Sequence, residues 1–208
     1  SLACARARAR GARALVSSSG GNAGLAVAFS GRALGMPVAV CLPESTPAFV
    51  RDRLEAFGAE VLVRGAVWAE AHAFAQQLAE DRGGALMHPF DMPDAWEGHG
   101  SLVGEVKEDL GGRKPACIVA SVGGGGLLMG VLEGLRAHGW PDVPVVAVET
   151  QGADCMARSL AAGELVTLPE ITSVAKSLGA DRMSERLFER CRELGPDLVR
   201  SVVVSDAA

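Results

Sequence analysis

A run of four glycines, 123–126, is the feature of this chain that most restricts its fold. An apolar run typical of a β-strand, 118–122, leads into it, and an apolar helical pattern, 127–135, follows it. Because glycine has no Cβ, the backbone can turn tightly here and direct several N–H groups at one point. The helix that begins at the turn adds its dipole and its unpaired N–H donors. The run therefore predicts a strand–turn–helix unit that binds an anion, with phosphate as the best candidate.

A second glycine-rich junction, 17–24, follows the apolar run 14–16 and precedes another helical pattern. Its serine and asparagine residues are common helix N-caps, so one interpretation is a plain helix start. The other is a ligand-binding turn, in which adjacent glycines free backbone N–H groups while the Ser19 hydroxyl and the Asn22 amide face the same ligand. If both junctions bind anions, the ligand has two anionic ends.

Segments typical of strands and helices alternate along the whole chain. The predicted strands, such as 37–42 and 143–148, are almost wholly apolar, which is typical of a parallel sheet covered on both faces. The sequence therefore predicts an α/β fold of open, twisted, mostly parallel sheets with helices on both faces. A turn-rich segment, 88–94, contains two prolines, and we predict a domain boundary there, with domains at 1–90 and 91–208.

Composition excludes several classes of protein. Hydrophobic residues make up 49% of the chain, which argues against disorder, and the net charge of −5 leaves no basic surplus for binding nucleic acid or acidic lipid. Its apolar runs are too short to predict a membrane span. The five cysteines are scattered without a C-x-x-C pair, which indicates reduced thiols and a cytoplasmic protein.

Other side chains that often carry chemistry give weak signals. The histidines have neither metal-ligand spacing nor an evident carboxylate partner, and no G-x-S-x-G motif supplies a nucleophile. We interpret Trp68 as a packing residue. We also interpret all four histidines as structural or surface residues and not as ligands, namely His72, His88, His99 and His138.

One alternative for the glycine run stays open at this point. Segment 125–130 fits the dinucleotide fingerprint G-x-G-x-x-G loosely, and Glu149 directly follows the predicted strand 143–148, near where such sites place an acidic residue. A nicotinamide-dependent oxidoreductase would use this segment. A P-loop is excluded, because no Gly-Lys-Ser/Thr follows the glycines.

Several segments together resemble one family of enzymes. Segment 18–24 is similar to the S-x-G-N substrate loop of fold-type II pyridoxal-phosphate enzymes, and segment 121–126 is similar to their S-V-G-G-G-G phosphate loop. Further matches narrow the resemblance to the serine/threonine dehydratases, specifically the animal-type serine dehydratase and serine dehydratase-like group. These matches lie at 89–91, 96–99, 148–150 and 168–179.

The resemblance implies a role for each matched position. Pyridoxal 5'-phosphate would be held through its phosphate by the glycine run and through its ring hydroxyl by Asn22, and a small hydroxy amino acid would bind through its carboxylate. A monovalent cation such as K⁺ would lie near Glu149. The implied cofactor residues are Asn22, Gly123, Gly124, Gly125, Gly126, Leu127 and Ser177. The implied substrate residues are Ser19, Gly20, Gly21 and Asn22, and the implied cation site is formed by Glu149 with the carbonyl groups of Ala153, Leu178 and Ala180.

The resemblance also has a gap. The family carries its Schiff-base lysine in an S-F-K-x-R-G motif just upstream of the S-x-G-N loop, whereas the lysines here are Lys107, Lys114 and Lys176. We therefore expect that lysine to precede residue 1, and the chain to be a middle part of an L-serine/L-threonine dehydratase that is inactive alone. The complete protein would be a cytoplasmic homodimer that converts serine or threonine to pyruvate or 2-oxobutanoate plus ammonia. A non-catalytic anion-binding module of the same fold stays an alternative.

Overall fold

The computed structural model describes residues 1–207; Ala208, the last residue of the predicted second domain, lies outside the described part. The chain divides into two compact units, Ser1–Asp94 and a second unit that begins at Ala95. Each unit has its own sheet, and every strand pair in the described residues is parallel. The predicted α/β class with parallel sheets is therefore confirmed.

The first unit contains a four-stranded sheet in the order β3-β2-β1-β4. The central strand, β1, pairs with two neighbours, so that Ser17 at its end lies beside Val40 of β2 and Met87 of β4. Because all the pairs are parallel, the carboxyl ends of the strands lie at one edge of the sheet. The elements are α1 (Leu2–Ala9), β1 (Leu15–Ser17), α2 (Asn22–Leu34), β2 (Val38–Leu42), α3 (Ala48–Ala56), β3 (Glu60–Val63), α4 (Trp68–Asp81) and β4 (Ala85–Met87).

Helices cover both faces of this sheet, for a reason visible in the strands. Leu15 and Val40 pack on one face with apolar residues of α1, α2 and α3, Leu54 among them. Val16 faces the opposite side and packs with Ala75 of α4. Successive side chains of a strand point to opposite faces, so a strand buried on both faces has to be apolar throughout. This is why β1 and β2, both fully buried, carry almost no polar residues.

The second unit contains a three-stranded sheet in the order β5-β6-β7. Its core includes Leu128 and Val131 of α6 together with Val145 and Ala147 of β6. The glycine run connects β5 directly to α6, as the sequence predicts. The elements that follow β4 are α5 (Pro93–Asp109), β5 (Ile118–Ser121), α6 (Gly126–Ala137), β6 (Val145–Thr150), α7 (Cys155–Ala162), α8 (Glu185–Leu194) and β7 (Val199–Val204).

Two of the element boundaries that differ from the sequence prediction bear on the domain boundary and on the site. Helix α5 begins at Pro93, inside the segment predicted to be a turn, because proline is well tolerated in the first turn of a helix. Strand β6 continues to Thr150, which pairs with Val204 of β7. Glu149 therefore lies within the strand, and not after it.

Candidate functional site

The turn at 123–126 lies at the carboxyl end of β5, and all four of its glycines are buried. A Cβ on Gly123 would overlap the carbonyl oxygen of Leu178, and a Cβ on Gly125 would overlap the side chain of Leu187. Gly125 also has a φ of +99°, which favours glycine. The path of the backbone therefore requires glycine at these two positions.

The carbonyl groups of this turn are engaged by the protein. The carbonyl of Gly124 accepts a hydrogen bond from the Ser184 N–H at 3.0 Å, and the carbonyl of Gly125 accepts one from the Met129 N–H at 2.9 Å. By contrast, no acceptor within residues 1–207 receives the N–H groups of the first three glycines. Buried N–H groups normally have a partner. A row of them without one is therefore suited to an anionic ligand.

The start of α6 adds further donors at the same place. The helix begins at Gly126 with Gly125 as its N-cap, and no side chain caps it. The first N–H groups of a helix have no partner inside the helix, and its dipole favours negative charge there. The phosphate of pyridoxal phosphate fits this site, because its oxygens accept hydrogen bonds and the glycines leave room for it beside their N–H groups. Leu127, the second residue of α6, is 37% exposed.

The segment around Leu178 lies against the turn within the second unit. A Cβ placed on Gly123 would lie 3.8 Å from the Ala180 nitrogen, in addition to its overlap with the Leu178 carbonyl. A Cβ placed on Gly179 would lie 3.1 Å from the Cβ of Ala153. The structure thus brings together the three residues whose carbonyl groups the resemblance assigns to a cation.

Glu149 is buried, with 1% of its surface exposed. Its carboxylate accepts hydrogen bonds from the N–H groups at the start of α7, those of Met156 at 2.8 Å and Ala157 at 2.7 Å. Burial raises the pKa of Glu149 above its usual value, and these two hydrogen bonds partly offset the rise. Each oxygen keeps a second lone pair for a cation or another donor.

A cation held by Glu149 and these three carbonyl groups would depend mainly on carbonyl oxygens. No group of three or more His, Cys, Asp or Glu residues in the described part of the chain is placed to hold a metal ion. Main-chain carbonyls combined with one carboxylate form an oxygen-only ligand set, which suits a hard cation better than a transition metal.

The dinucleotide alternative loses the support of Glu149. Glu149 holds the start of α7 and is buried, so it does not have the place of a ribose-binding carboxylate. Gly130, the last glycine of the fingerprint, packs closely against α5, where a Cβ would lie 2.6 Å from the carbonyl oxygen of Trp96. Close packing is also the role of the last glycine in a dinucleotide fingerprint, so it does not distinguish the two interpretations.

The three lysines lie at different places in the second unit. Lys107 donates to the carbonyl of His138 at 2.9 Å, and Lys114 pairs with Asp142 at 2.5 Å. Lys176 is exposed, with its ammonium 3.4 Å from the Ile171 carbonyl. Ser177, which follows it, is exposed too, and its side chain makes no hydrogen bond within residues 1–207.

The serine-rich junction forms a compact loop between β1 and α2 in the first unit. The Ser17 hydroxyl donates to the Met87 carbonyl at 3.4 Å, and the Ser19 hydroxyl accepts from the Gly21 N–H at 3.3 Å. The Ser19 carbonyl lies so close to Gly24 that a Cβ there would overlap it. The loop is thus folded back on the first turn of α2. Gly20 lies between Ser19 and Gly21, which the hydrogen bond at 3.3 Å joins.

The start of α2 resembles that of α6 in having no side-chain cap. Asn22 is the first residue of α2, and Gly21 is the N-cap, without a capping side chain. The first hydrogen bond into the helix runs from the Leu25 N–H to the Gly21 carbonyl at 3.2 Å. The preceding N–H groups, those of Asn22, Ala23 and Gly24, therefore have no helical partner. No side chain caps α2, so the interpretation of this junction as a cap formed by serine or asparagine is wrong, and the anion-binding interpretation stays a prediction.

Residues of α4 contact the same loop. The Trp68 indole N–H donates to the Ser18 carbonyl at 3.1 Å, and His72 Nδ1 lies 2.8 Å from the Ser18 hydroxyl oxygen. Burial lowers the pKa of His72 below its usual value. From the sequence, Trp68 is interpreted as a packing residue and His72 as a structural or surface residue, and neither is related to the loop. Their spacing of four residues, which places them on one face of a helix, was the available signal.

Comparisons with known proteins identify the class to which this fold and these loops belong. The chain belongs to the family described as "Pyridoxal-phosphate dependent enzyme", whose model matches residues 1–208. Within that family, the predicted resemblance to the serine dehydratase and serine dehydratase-like group is confirmed. A mouse "Serine dehydratase-like" protein is 53% identical over 203 residues, which are 98% of this chain and 60% of that protein. The human "L-serine dehydratase/L-threonine deaminase" is 45% identical over 204 residues, 98% of this chain and 61% of that protein.

Solved structures agree with this assignment. An L-serine ammonia-lyase from the fungus Rhizomucor miehei has a TM-score of 0.85 at 34% identity, covering 99% of this chain and 65% of its own. A T.th. threonine deaminase has a TM-score of 0.86 at 33% identity, covering 99% of this chain and 66% of its own. The predicted architecture of fold-type II pyridoxal-phosphate enzymes is therefore confirmed. The chain spans about 60% of the length of the curated relatives it matches.

Proposed function

We propose that this chain is part of a pyridoxal-phosphate-dependent L-serine/L-threonine dehydratase, a lyase that converts its substrate to pyruvate or 2-oxobutanoate plus ammonia. The buried turn at 123–126, with engaged carbonyls and available N–H groups, is the observation that carries the proposal. A phosphate monoester has about two negative charges and three acceptor oxygens, which match this donor set. The substrate class follows the names of the relatives, serine dehydratase and threonine deaminase.

Each unit contributes one anion-binding element under this proposal. In the second unit, the glycine turn and Leu127 would bind the phosphate, and Ser177 would lie against the cofactor ring. In the first unit, the loop from Ser19 to Asn22 would receive the substrate carboxylate. When bound, pyridoxal phosphate supplies an electron-accepting ring that stabilises negative charge at the substrate's α-carbon. The chain's own contribution is orientation, because donors already fixed in place need not reorganise during the reaction.

We further propose that residues 1–208 bind the cofactor but do not turn over substrate alone. Lys107 and Lys114 are engaged by a carbonyl group and a carboxylate. Lys176 is exposed next to the Ile171 carbonyl. A base that removes the α-proton has to lie within hydrogen-bond reach of that proton. The Lys107 and Lys114 ammonium groups are instead bound to the His138 carbonyl and the Asp142 carboxylate.

Three finer features belong to the same proposal. K⁺ would bind through Glu149 and the carbonyl groups of Ala153, Leu178 and Ala180, and the complete protein would be a homodimer. Its place would be the cytoplasm, which agrees with the cysteines, all five of which are free thiols, four of them buried. Among residues 1–207, none of the helices combines the length and the apolar character needed to cross a membrane.

Pyridoxamine 5'-phosphate tests the phosphate site without requiring a lysine. We expect it to bind the chain and to shift the amide NMR signals of 123–128, because phosphate oxygens accept from these N–H groups. Pyridoxamine, which lacks only the phosphate, is the matched control and should bind at least about tenfold more weakly, since charge-assisted hydrogen bonds contribute roughly 1.5–3 kcal/mol. Equal affinities for the two ligands, or shifts confined to other residues, would contradict the proposal.

Turnover is tested separately with the 208-residue chain, pyridoxal phosphate and L-serine. We expect no pyruvate in an assay coupled to lactate dehydrogenase. Borohydride reduction followed by peptide mass mapping then reports whether any lysine has joined the cofactor. Sustained pyruvate formation, together with a trapped cofactor on Lys107, Lys114 or Lys176, would show that the chain carries its own catalytic lysine.

A further inference from the structure

Ser18, at the carboxyl end of β1, is held at two points by one helix. Its side chain and backbone are buried, with 1% of the residue exposed. Trp68 donates its indole N–H to the Ser18 carbonyl at 3.1 Å, and the Ser18 hydroxyl oxygen lies 2.8 Å from His72 Nδ1. Because Trp68 and His72 are four residues apart on α4, both reach Ser18 from the same helix face.

The His72 ring is itself fixed by aromatic neighbours. It stacks on the Trp68 indole, with ring centroids 4.7 Å apart and an interplanar angle of 19°. The His88 ring meets it edge-on at 5.3 Å. His88 is fixed in turn, because its Nδ1 accepts hydrogen bonds from the backbone N–H groups of Phe90 and Asp91, at 3.3 and 2.9 Å. The direction of His72 Nδ1 towards Ser18 is thus set by packing on two sides.

Ser18 leads directly into the loop that precedes α2. Ser19 comes next, and its hydroxyl accepts from the Gly21 N–H at 3.3 Å. The Ser19 carbonyl packs directly on Gly24 in the first turn of α2. A shift of Ser18 is therefore passed to the loop from Ser19 to Asn22, which is proposed to receive the carboxylate, and to the N–H groups that follow it at the start of α2.

We propose that His72 and Trp68 are positioning residues for carboxylate recognition by the loop 19–24. They act through Ser18 and do not touch the substrate. The inference rests on the proposed function, because it presumes that this loop binds a carboxylate. It goes beyond that function by assigning the alignment of the donors to a stacked Trp–His pair on α4.

Variants at the two positions separate hydrogen bonding from packing. His72→Asn keeps a polar atom close to the place of Nδ1, whereas His72→Leu removes it and leaves the buried Ser18 hydroxyl without a partner. Trp68→Phe keeps an aromatic ring for stacking but lacks the indole N–H. Gln76→Leu is the matched control, because Gln76 is an exposed polar residue one turn further along the same helix.

The experiment is a titration of the ¹⁵N-labelled chain with L-serine, followed at the amide signals of 20–24. L-serine methyl ester, which lacks the carboxylate, is the reference ligand. We expect His72→Leu to weaken L-serine binding by about five- to twentyfold, the usual effect of an unsatisfied buried hydroxyl, and Trp68→Phe to weaken it by about two- to tenfold. His72→Asn and Gln76→Leu should bind within about twofold of the parent chain.

The outcomes distinguish this inference from the function on which it rests. If L-serine and its methyl ester give the same shifts in the parent chain, the carboxylate site is wrong and the positioning role falls with it. If the parent chain binds L-serine through its carboxylate but both His72→Leu and Trp68→Phe bind equally well, only the positioning role is wrong. If His72→Leu fails to fold, Trp68→Phe decides between these results. Weak binding by His72→Leu that His72→Asn does not restore would also contradict the hydrogen-bonding role.

Discussion

Gly125→Ala tests whether the glycine turn is required by its backbone path and by its packing. Gly125 has a φ of +99°, where an alanine costs about 1–2 kcal/mol of strain. The new methyl group would also overlap Leu187, whose Cγ and Cβ lie 3.3 and 3.5 Å from the added carbon. Leu187 is fully buried in the core of the second unit, so it cannot move aside without disturbing its neighbours.

Backbone strain and the overlap with Leu187 should both lower the free energy of unfolding of Gly125→Ala. Overpacking a buried site costs about 1–3 kcal/mol, so strain and overlap together should lower the free energy of unfolding by about 2–5 kcal/mol. Gly139→Ala is the matched control. Gly139 has a φ of +76° but nothing within 4 Å of an added Cβ, so it should show the strain alone, at about 1–2 kcal/mol.

Urea unfolding of the parent chain and the two variants, followed by circular dichroism, measures the difference. With a slope of about 2 kcal/mol per molar urea, Gly125→Ala should unfold about 0.5–1.5 M earlier than Gly139→Ala. Leu187→Ala makes room for the methyl group, and in that background Gly125→Ala should cost only the strain. Equal midpoints for the two glycine variants, or an unchanged cost in the Leu187→Ala background, would refute the packing argument.

Further predictions follow from the same geometry. Gly24→Ala would push its methyl group into the Ser19 carbonyl and should lower the free energy of unfolding by about 1–3 kcal/mol. Gly21→Ala is the control, because its Cβ would have nothing nearer than 3.8 Å, and it should change that free energy by less than about 1 kcal/mol. Similar urea midpoints for the two variants would count against the close contact. Burial and the neighbouring His72 lower the pKa of His88, so the unfolded chain takes up a proton more readily as the pH falls through the usual histidine range. Stability should therefore drop between about pH 7 and pH 5, and His88→Asn, which cannot titrate, should drop less; identical pH slopes in urea titrations would exclude this contribution. In Glu149→Gln, the side-chain N–H₂ group would face one of the two backbone N–H donors at the start of α7, and both groups are donors. The variant should therefore lower the free energy of unfolding by about 1–3 kcal/mol. An unchanged thermal midpoint would argue that Glu149 does not stabilise the start of α7.

Local physical chemistry explains why much of the fold is predictable from the sequence. Strands such as Val38–Leu42 are apolar on both faces, which is typical of a parallel sheet covered on both sides. Helices α2 and α6 begin at the two glycine-rich junctions, at Asn22 and Gly126, where glycine lets the backbone turn from strand into helix. The less accurate boundary at the end of β6 has a non-local cause. Pairing with β7 extends that strand to Thr150, and local sequence does not encode the length of a partner strand.

The sequence by itself determined that two glycine-rich turns follow strands and begin helices, because glycine placement and strand apolarity act within a few residues. Only the tertiary structure decided which glycines are indispensable, since the atoms that exclude a side chain at Gly123 and Gly125 come from Leu178 and Leu187, more than fifty residues along the chain. It also decided that His72 contacts Ser18. Parallel strands joined by helices bring distant segments to one sheet edge, and which side chains meet there depends on packing between elements, which no local pattern records.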